Sequence, residues 1–233
     1  MRSPDPTVSR GRFGAPLEEL LLDRVWPAAI FALVLYYKLL KLYGTVAEAR
    51  TSGRLTLELA ADISHQLGAI SVFAVVIALF IIRRPPVGAR SSLLGAIVAI
   101  AGTTALGVTA SAPVVYSPWP VLALSAVLAL GGSAFTVFSL ATLGRCFGLF
   151  PEARGLVTRG PYRFIRHPVY LGEYVSGFGL LLPILSPWSV AVYLVFAILQ
   201  LWRIVNEERA LEAVFPEYAQ YRQRTWRLIP GVF

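Results

Sequence analysis

Residues 168–208 read PVYLGEYVSGFGLLLPILSPWSVAVYLVFAILQLWRIVNEE. Between Pro168 and Asn206 the only charged side chains are Glu173 and Arg203. Each half, Pro168–Leu185 and Pro187–Val205, approaches the about 20 apolar residues that a helix needs to cross a bilayer. Between them, Ser186-Pro187-Trp188 leaves room only for a tight turn, and proline suits the first position of a new helix. The stretch predicts a helical hairpin in lipid, with Arg203, Glu207 and Glu208 gathered where it leaves the membrane.

Upstream, four further segments fit the same solvent: Val25–Tyr43, Ile63–Ile82, Leu93–Ala112 and Trp119–Leu143. Composition agrees. The chain is 56% hydrophobic and only 15% charged, with a mean hydropathy of +0.65. A soluble domain covers its surface with about a quarter charged residues. The expected fold is all-α, a polytopic membrane protein of about six transmembrane helices with a C-terminal hairpin and an amphipathic tail. Residues 1–24 form a basic arm, residues 25–143 hold helices one to four, and residues 144–233 form the functional region. No short apolar run with a cleavage site follows Arg2, Arg10 and Arg12, so the arm does not read as a signal peptide. The one cysteine, Cys146, excludes an internal disulfide, and two histidines are too few for a histidine-rich metal site.

The net charge of +8 could suggest nucleic acid in a soluble protein. Here the basic residues fall between apolar segments, which points to cytoplasmic loops facing anionic lipid. Arg83, Arg84 and Arg90 follow the second segment; Arg145, Arg154, Arg159, Arg163 and Arg166 follow the fourth; Arg209, Arg222, Arg224 and Arg227 follow the sixth. The turns after the third and fifth carry no charge, so both termini are expected in the cytoplasm. Arg50 and Arg54 after the first segment weaken the pattern, although Glu48 and Glu58 accompany them.

Polar groups concentrate in two places. In the loop Leu156–Tyr170, Gly160-Pro161 is a turn signal and Pro168 suits a helix start. Arg166 and His167 then sit where free backbone N–H groups of that helix gather, a place suited to an anion. Tyr162, Phe164 and Tyr170 offer faces to a flat ring. The same residues would serve equally as interfacial anchors on lipid phosphates. At the end of the sixth segment, Arg203 and Glu207 are four apart and share a helix face, while Glu208 points elsewhere. Arginine N-terminal to glutamate is the weaker order for stabilising a helix, which argues against a mere staple. Glu173, early in a helix, is accounted for by the dipole, Cys146 by packing, and His65 has no evident role. Downstream, Leu211, Val214, Phe215, Tyr218 and Tyr221 recur at helical spacing, an amphipathic tail broken at Pro216 that would cover the site.

Three elements resemble the isoprenylcysteine carboxyl methyltransferase family and its phospholipid methyltransferase relatives. They are Gly160-Pro-Tyr-Arg-Phe-Ile-Arg-His-Pro-Val-Tyr170, then Arg203-x-x-x-Glu207-Glu208, then the tail from Leu211 through Arg227-Leu-Ile-Pro230. The resemblance covers roughly Leu143–Phe233; the first four segments carry no recognisable motif. It implies a membrane methyltransferase that binds S-adenosylmethionine with its C-terminal helices and loop, without a Rossmann domain. Carried over by position, Leu156, Val157, Tyr162, His167, Pro168, Tyr170, Glu207 and Glu208 would line the cofactor, with Glu207 on its amino group. Arg203 would hold the acceptor, and Arg166 belongs to the catalytic set. The implied acceptor is the carboxylate of an isoprenylcysteine-like or other lipophilic substrate, reached from the lipid while the cofactor enters from the cytoplasm.

Other readings stay open. An amine, hydroxyl or thiol acceptor would need a base, for which Glu208 or His167 could serve. Membrane sterol-type reductases resemble the same C-terminal helices and use a nicotinamide cofactor. A transporter subunit fits less well, because a transport path needs polar groups at mid-depth of several spans.

Overall fold

A computed structural model of the chain describes residues 21–88, 93–109 and 117–232. Most of the expected N-terminal arm, Arg90 and most of the turn at Pro113–Pro118 lie outside the described residues. Among the described residues seven α-helices follow in order: α1 Trp26–Ser52, α2 Leu57–Ile82, α3 Leu93–Thr109, α4 Trp119–Leu143, α5 Pro168–Leu181, α6 Pro187–Val214 and α7 Tyr218–Arg224. Among the described residues there is no strand beyond one isolated bridge. The all-helical polytopic expectation holds. Among the described residues four helices, α1, α2, α4 and α6, are long and apolar enough to cross a membrane. Of the other two expected spans, α3 is described over 17 residues, its expected end at Ala112 lying outside the described residues, and α5 has 14.

The helix starts follow local chemistry. Thr56 caps α2 by accepting from the Leu59 N–H at 3.3 Å. Ser186 and Ser189 form a reciprocal capping box at the start of α6, with Pro187 in the first turn. Pro168 opens α5, where its missing N–H costs no helical bond.

Helix lengths set the depth of the functional region. After α5, a single turn Leu182–Ile184 reverses the chain into α6. At about 1.5 Å per residue, α6 is roughly twice as long as α5 and overshoots its start. The sixth segment was expected to end at Val205; the helix instead continues to Val214, so Arg203, Glu207 and Glu208 all project from one rod. The tail breaks at Phe215-Pro216, as the proline requires, and resumes as α7.

The hairpin is held against α4 by near contact of backbones. A Cβ on Gly172 would stand 2.8 Å from the Gly132 carbonyl oxygen, and one on Gly179 would stand 2.7 Å from the Ala129 nitrogen. Small residues permit this approach where lipid gives no hydrophobic drive to helix association. Hydrogen bonds add to it. His65 Nε2 meets Ser125 Oγ at 2.8 Å, and Ser125 donates to the Gly179 carbonyl at 2.7 Å, linking α2, α4 and α5. At the end of the bundle opposite the loop, Asp62 on α2 accepts from Thr45 (2.9 Å) and Gln66 (2.8 Å) and pairs with Lys41 at 3.4 Å. A carboxylate inside a span persists only with such partners.

Gly172→Ala should lower stability by about 1–3 kcal/mol, the usual cost of overpacking, read as a fall in thermal midpoint in detergent. Gly131→Ala, where a Cβ meets nothing within 4 Å, should leave the midpoint unchanged.

Candidate functional site

The loop between α4 and α5 is fixed from both sides. On one side a cluster of Phe31, Val76, Leu79, Phe80, Leu140, Phe147 and Leu149 forms where α1, α2 and α4 meet the loop. Phe147 stands edge-on to Phe80, with ring centres 5.4 Å apart. Backbone bonds Arg84 N–H to Arg145 O (2.7 Å) and Val87 N–H to Ala153 O (2.7 Å) tie the α2 exit to the loop. Arg83 and Arg154, expected as loop charges, are buried: Arg83 lies over the Phe80 ring, and Arg154 pairs with Glu152 at 2.8 Å and donates to the Arg84 carbonyl. A lipid-facing role does not fit them. On the other side the tail returns. Arg166 N–H donates to Trp226 O (2.8 Å), His167 N–H to Arg227 O (3.1 Å), and Trp226 N–H to Phe164 O (3.0 Å).

Glu208 joins loop, helix and tail. Its carboxylate, 5% exposed, accepts from Arg166 Nε at 2.7 Å and from Arg227 at 2.8 and 3.1 Å, and lies 3.3 Å from His167 Nε2. Arg166 also donates to the Arg222 carbonyl at 3.0 Å and to the Thr225 carbonyl. The groups that reach this carboxylate come from two segments distant from it in sequence, Arg166-His167 and Arg227.

Arg203 and Glu207 share a face, as their spacing predicts, and both reach Tyr170. The Arg203 guanidinium lies 5.2 Å from the Tyr170 ring centre, and Tyr170 donates to Glu207 at 2.9 Å. Arg203 is 6% exposed and donates to Gln200 Oε1 (2.7 Å) and to the Leu149 carbonyl (3.0 Å). Gln200 in turn donates to Glu173. Glu173, accounted for by the helix dipole in the sequence, thus belongs to the polar chain behind Arg203. The Arg203 Nε is buried without a hydrogen-bond partner.

Beside these groups opens a small recess. Of the residues implied by the family resemblance, Leu156, Val157, Tyr162, Arg166, His167 and Glu207 line it. Pro168, Tyr170, Arg203 and Glu208 are not in the lining; Tyr170 holds Glu207 and Glu208 holds Arg166 from outside it. The lining also includes Cys146, Glu152, Arg154, Gly155, Leu211, Tyr218 and Tyr221. Gly155 is needed there: its φ is +154°, and a Cβ would stand 2.5 Å from the Cys146 sulfur. Gly160, at φ +58°, makes the turn its sequence announces. Tyr162 donates to the Ser139 carbonyl at 3.4 Å, and Tyr221 to the Tyr162 carbonyl at 2.7 Å. Burial, then the Glu207 carboxylate, push the Tyr162 phenol well above its ordinary value, so it remains a neutral donor. Among the described residues, no three His, Cys, Asp or Glu side chains gather in a way that could hold a metal.

Comparison with known proteins covers the same region of the chain. Residues 120–218, from α4 to the start of α7, match the family described as phospholipid methyltransferase. The cobalt-zinc-cadmium resistance protein CzcN of Cupriavidus metallidurans is 38% identical over 98 residues, covering 40% of this chain and 45% of that protein. A probable protein-S-isoprenylcysteine O-methyltransferase of Oryza sativa is 26% identical over 125 residues, covering 49% of this chain and 63% of its own. The chain thus spans about half the length of the curated relatives it matches. The fold is similar to that of a eukaryotic intramembrane Ras methyltransferase, isoprenylcysteine carboxyl methyltransferase. That likeness has a TM-score of 0.50 at 21% identity, over 76% of this chain and 67% of the other.

Glu208→Ala leaves two guanidiniums beside a hole and should destabilise by about 3–5 kcal/mol, as when one partner of a buried ion pair is removed. Glu207→Ala, which releases one tyrosine hydroxyl, should cost about 1 kcal/mol. Thermal midpoints of the two variants in detergent check the ranking.

Proposed function

We propose that this chain, whose C-terminal half is of the isoprenylcysteine carboxyl methyltransferase type, binds S-adenosylmethionine in the recess and methylates the carboxylate of a lipophilic, isoprenylcysteine-like acceptor. The observation that carries the reading is the meeting of Arg203 and Glu207 at Tyr170, next to a recess lined by tyrosines and both signs of charge.

The lining fits a zwitterionic nucleoside. Tyr162, Tyr218 and Tyr221 offer ring faces, Arg154 and Arg166 offer positive charge, and Glu207 offers a carboxylate for an ammonium group. S-adenosylmethionine, when bound, supplies a methyl group already activated on a sulfonium. The protein's task is then orientation and exclusion of water. Tyr170 fixes Glu207 through its 2.9 Å hydrogen bond. The Glu173–Gln200 chain and the Leu149 carbonyl fix Arg203. That leaves the buried Nε–H of Arg203 to donate one charge-assisted hydrogen bond to an acceptor carboxylate. Arg166, with donors on Glu208, Arg222 and Thr225, acts by pinning the tail over the recess.

The environment of Glu208 favours a carboxylate acceptor over an amine, hydroxyl or thiol. Two guanidiniums hold it as an anion, which makes it a poor proton acceptor. The recess faces the cytoplasm on this reading, because the exposed arginines Arg84, Arg145, Arg159 and Arg163 belong to the segments that form the same end.

Radiolabel transfer from S-adenosylmethionine to an S-farnesylated cysteine derivative should be catalysed by the purified protein in lipid. Arg203→Ala should reduce turnover by about 100-fold, the size expected when a positioning charge is lost, while cofactor binding is retained. Unchanged turnover in that variant at saturating cofactor would refute the acceptor assignment.

A further inference from the structure

Tyr218 is fully buried, yet its hydroxyl has no hydrogen-bond partner. It is the exception among the tyrosines of this region. Tyr162 donates to Ser139 O, Tyr170 to Glu207, and Tyr221 to Tyr162 O. Tyr174 and Tyr193 donate to the carbonyls of Ala197 and Tyr174. A buried hydroxyl without a partner costs stability, and native structures keep few of them. Local contacts hold Tyr218 in place. It begins α7 directly after the Phe215-Pro216 break, its N–H donates to the Phe215 carbonyl at 2.9 Å, and its ring stands edge-on to Tyr221 with centres 5.9 Å apart. The side chain lines the recess together with Arg154, Arg166 and Glu207.

We propose that the Tyr218 hydroxyl donates a hydrogen bond to the carboxylate of S-adenosylmethionine held in the recess. The proposal rests on the reading of the recess as that cofactor's site. Burial, then the Glu208 and Glu207 carboxylates, hold the phenol far above its ordinary value, with Arg166 opposing, so the hydroxyl stays protonated. A neutral donor that finds no acceptor in the protein suits an acceptor brought by a ligand. The ligand's two ends then separate by charge. Glu207 meets the ammonium, while Tyr218, which lines the recess together with Arg166, meets the carboxylate. Because Tyr218 heads α7, the bond also ties the returning tail to the bound cofactor.

Calorimetric titration of wild type and Tyr218→Phe, with S-adenosylmethionine and its decarboxylated analogue, tests this. The two ligands differ only in the carboxylate. The Phe variant should bind S-adenosylmethionine about tenfold more weakly or worse, the loss expected for a hydrogen bond to a charged group. Its affinity for the decarboxylated analogue should equal that of wild type. Its ligand-free thermal midpoint should not fall, because the removed hydroxyl had no partner to lose. Equal weakening for both ligands, weakening for neither, or a clear fall in the ligand-free midpoint would each overturn the proposal. Failure of wild type to bind S-adenosylmethionine would instead remove the cofactor assignment, and this inference with it.

Discussion

Glu208 brings three segments of chain to one buried carboxylate: the loop through Arg166 and His167, α6 on which it sits, and the tail through Arg227. A charge withdrawn from water persists only when its partners are close and well aligned. Here two guanidiniums and an imidazole meet that demand. Everything at this end of the bundle follows from the arrangement. The backbone bridge between Ile165 and Trp226 lies where the side chains have drawn loop and tail together. Tyr218 and Tyr221 then reach the recess because the tail is held close.

The hairpin gives the cluster its place. A short α5 packed on α4 through Gly132, Gly172 and Gly179 cannot shift without collision of backbones. The longer α6 therefore presents Arg203 level with Tyr170 and carries Glu207 and Glu208 beyond the start of α5. Two carboxylates adjacent in sequence acquire different work by the turn of the helix between them. Glu207 faces the recess, whereas Glu208 faces the arginines that close it. Arg203 is steadied by Gln200 and by a loop carbonyl, and that loop is itself anchored by Phe147 against Phe80. The packing of the first two helices thus reaches the chemistry through the placement of Leu149 and through the bonds of Arg84 and Val87 to the loop.

Much of this was legible in the sequence because its signals are local. Apolar length announced the helices, Pro168 and Ser186-Pro187 their starts, and the four-residue spacing the shared face of Arg203 and Glu207. Pro216 announced the break before α7. What escaped was set by contacts distant in sequence. Arg154 and Arg83 read as loop charges, since nothing near them reveals that they are buried. Arg227 appeared only as a charge of the tail, although its partner Glu208 lies 19 residues upstream. Glu173 seemed satisfied by its own helix, while its hydrogen bond comes from Gln200 on the next one. The close approach of Gly155 to Cys146 also has no sequence signature, because a glycine in a loop fits many turns. The extra nine residues of α6 were missed because hydropathy marks where lipid ends, and a helix need not end there.

The central claim is that the recess beside Glu207 takes S-adenosylmethionine. Its most direct test is calorimetric titration of the purified protein with S-adenosylmethionine and, separately, with a reduced nicotinamide dinucleotide. Saturable binding of about one S-adenosylmethionine per chain, lost in Glu207→Ala, with no heat from the nicotinamide, is the result predicted by the charge-paired lining. Binding of the nicotinamide without S-adenosylmethionine would contradict the account and move the protein to reductive chemistry on the same helices.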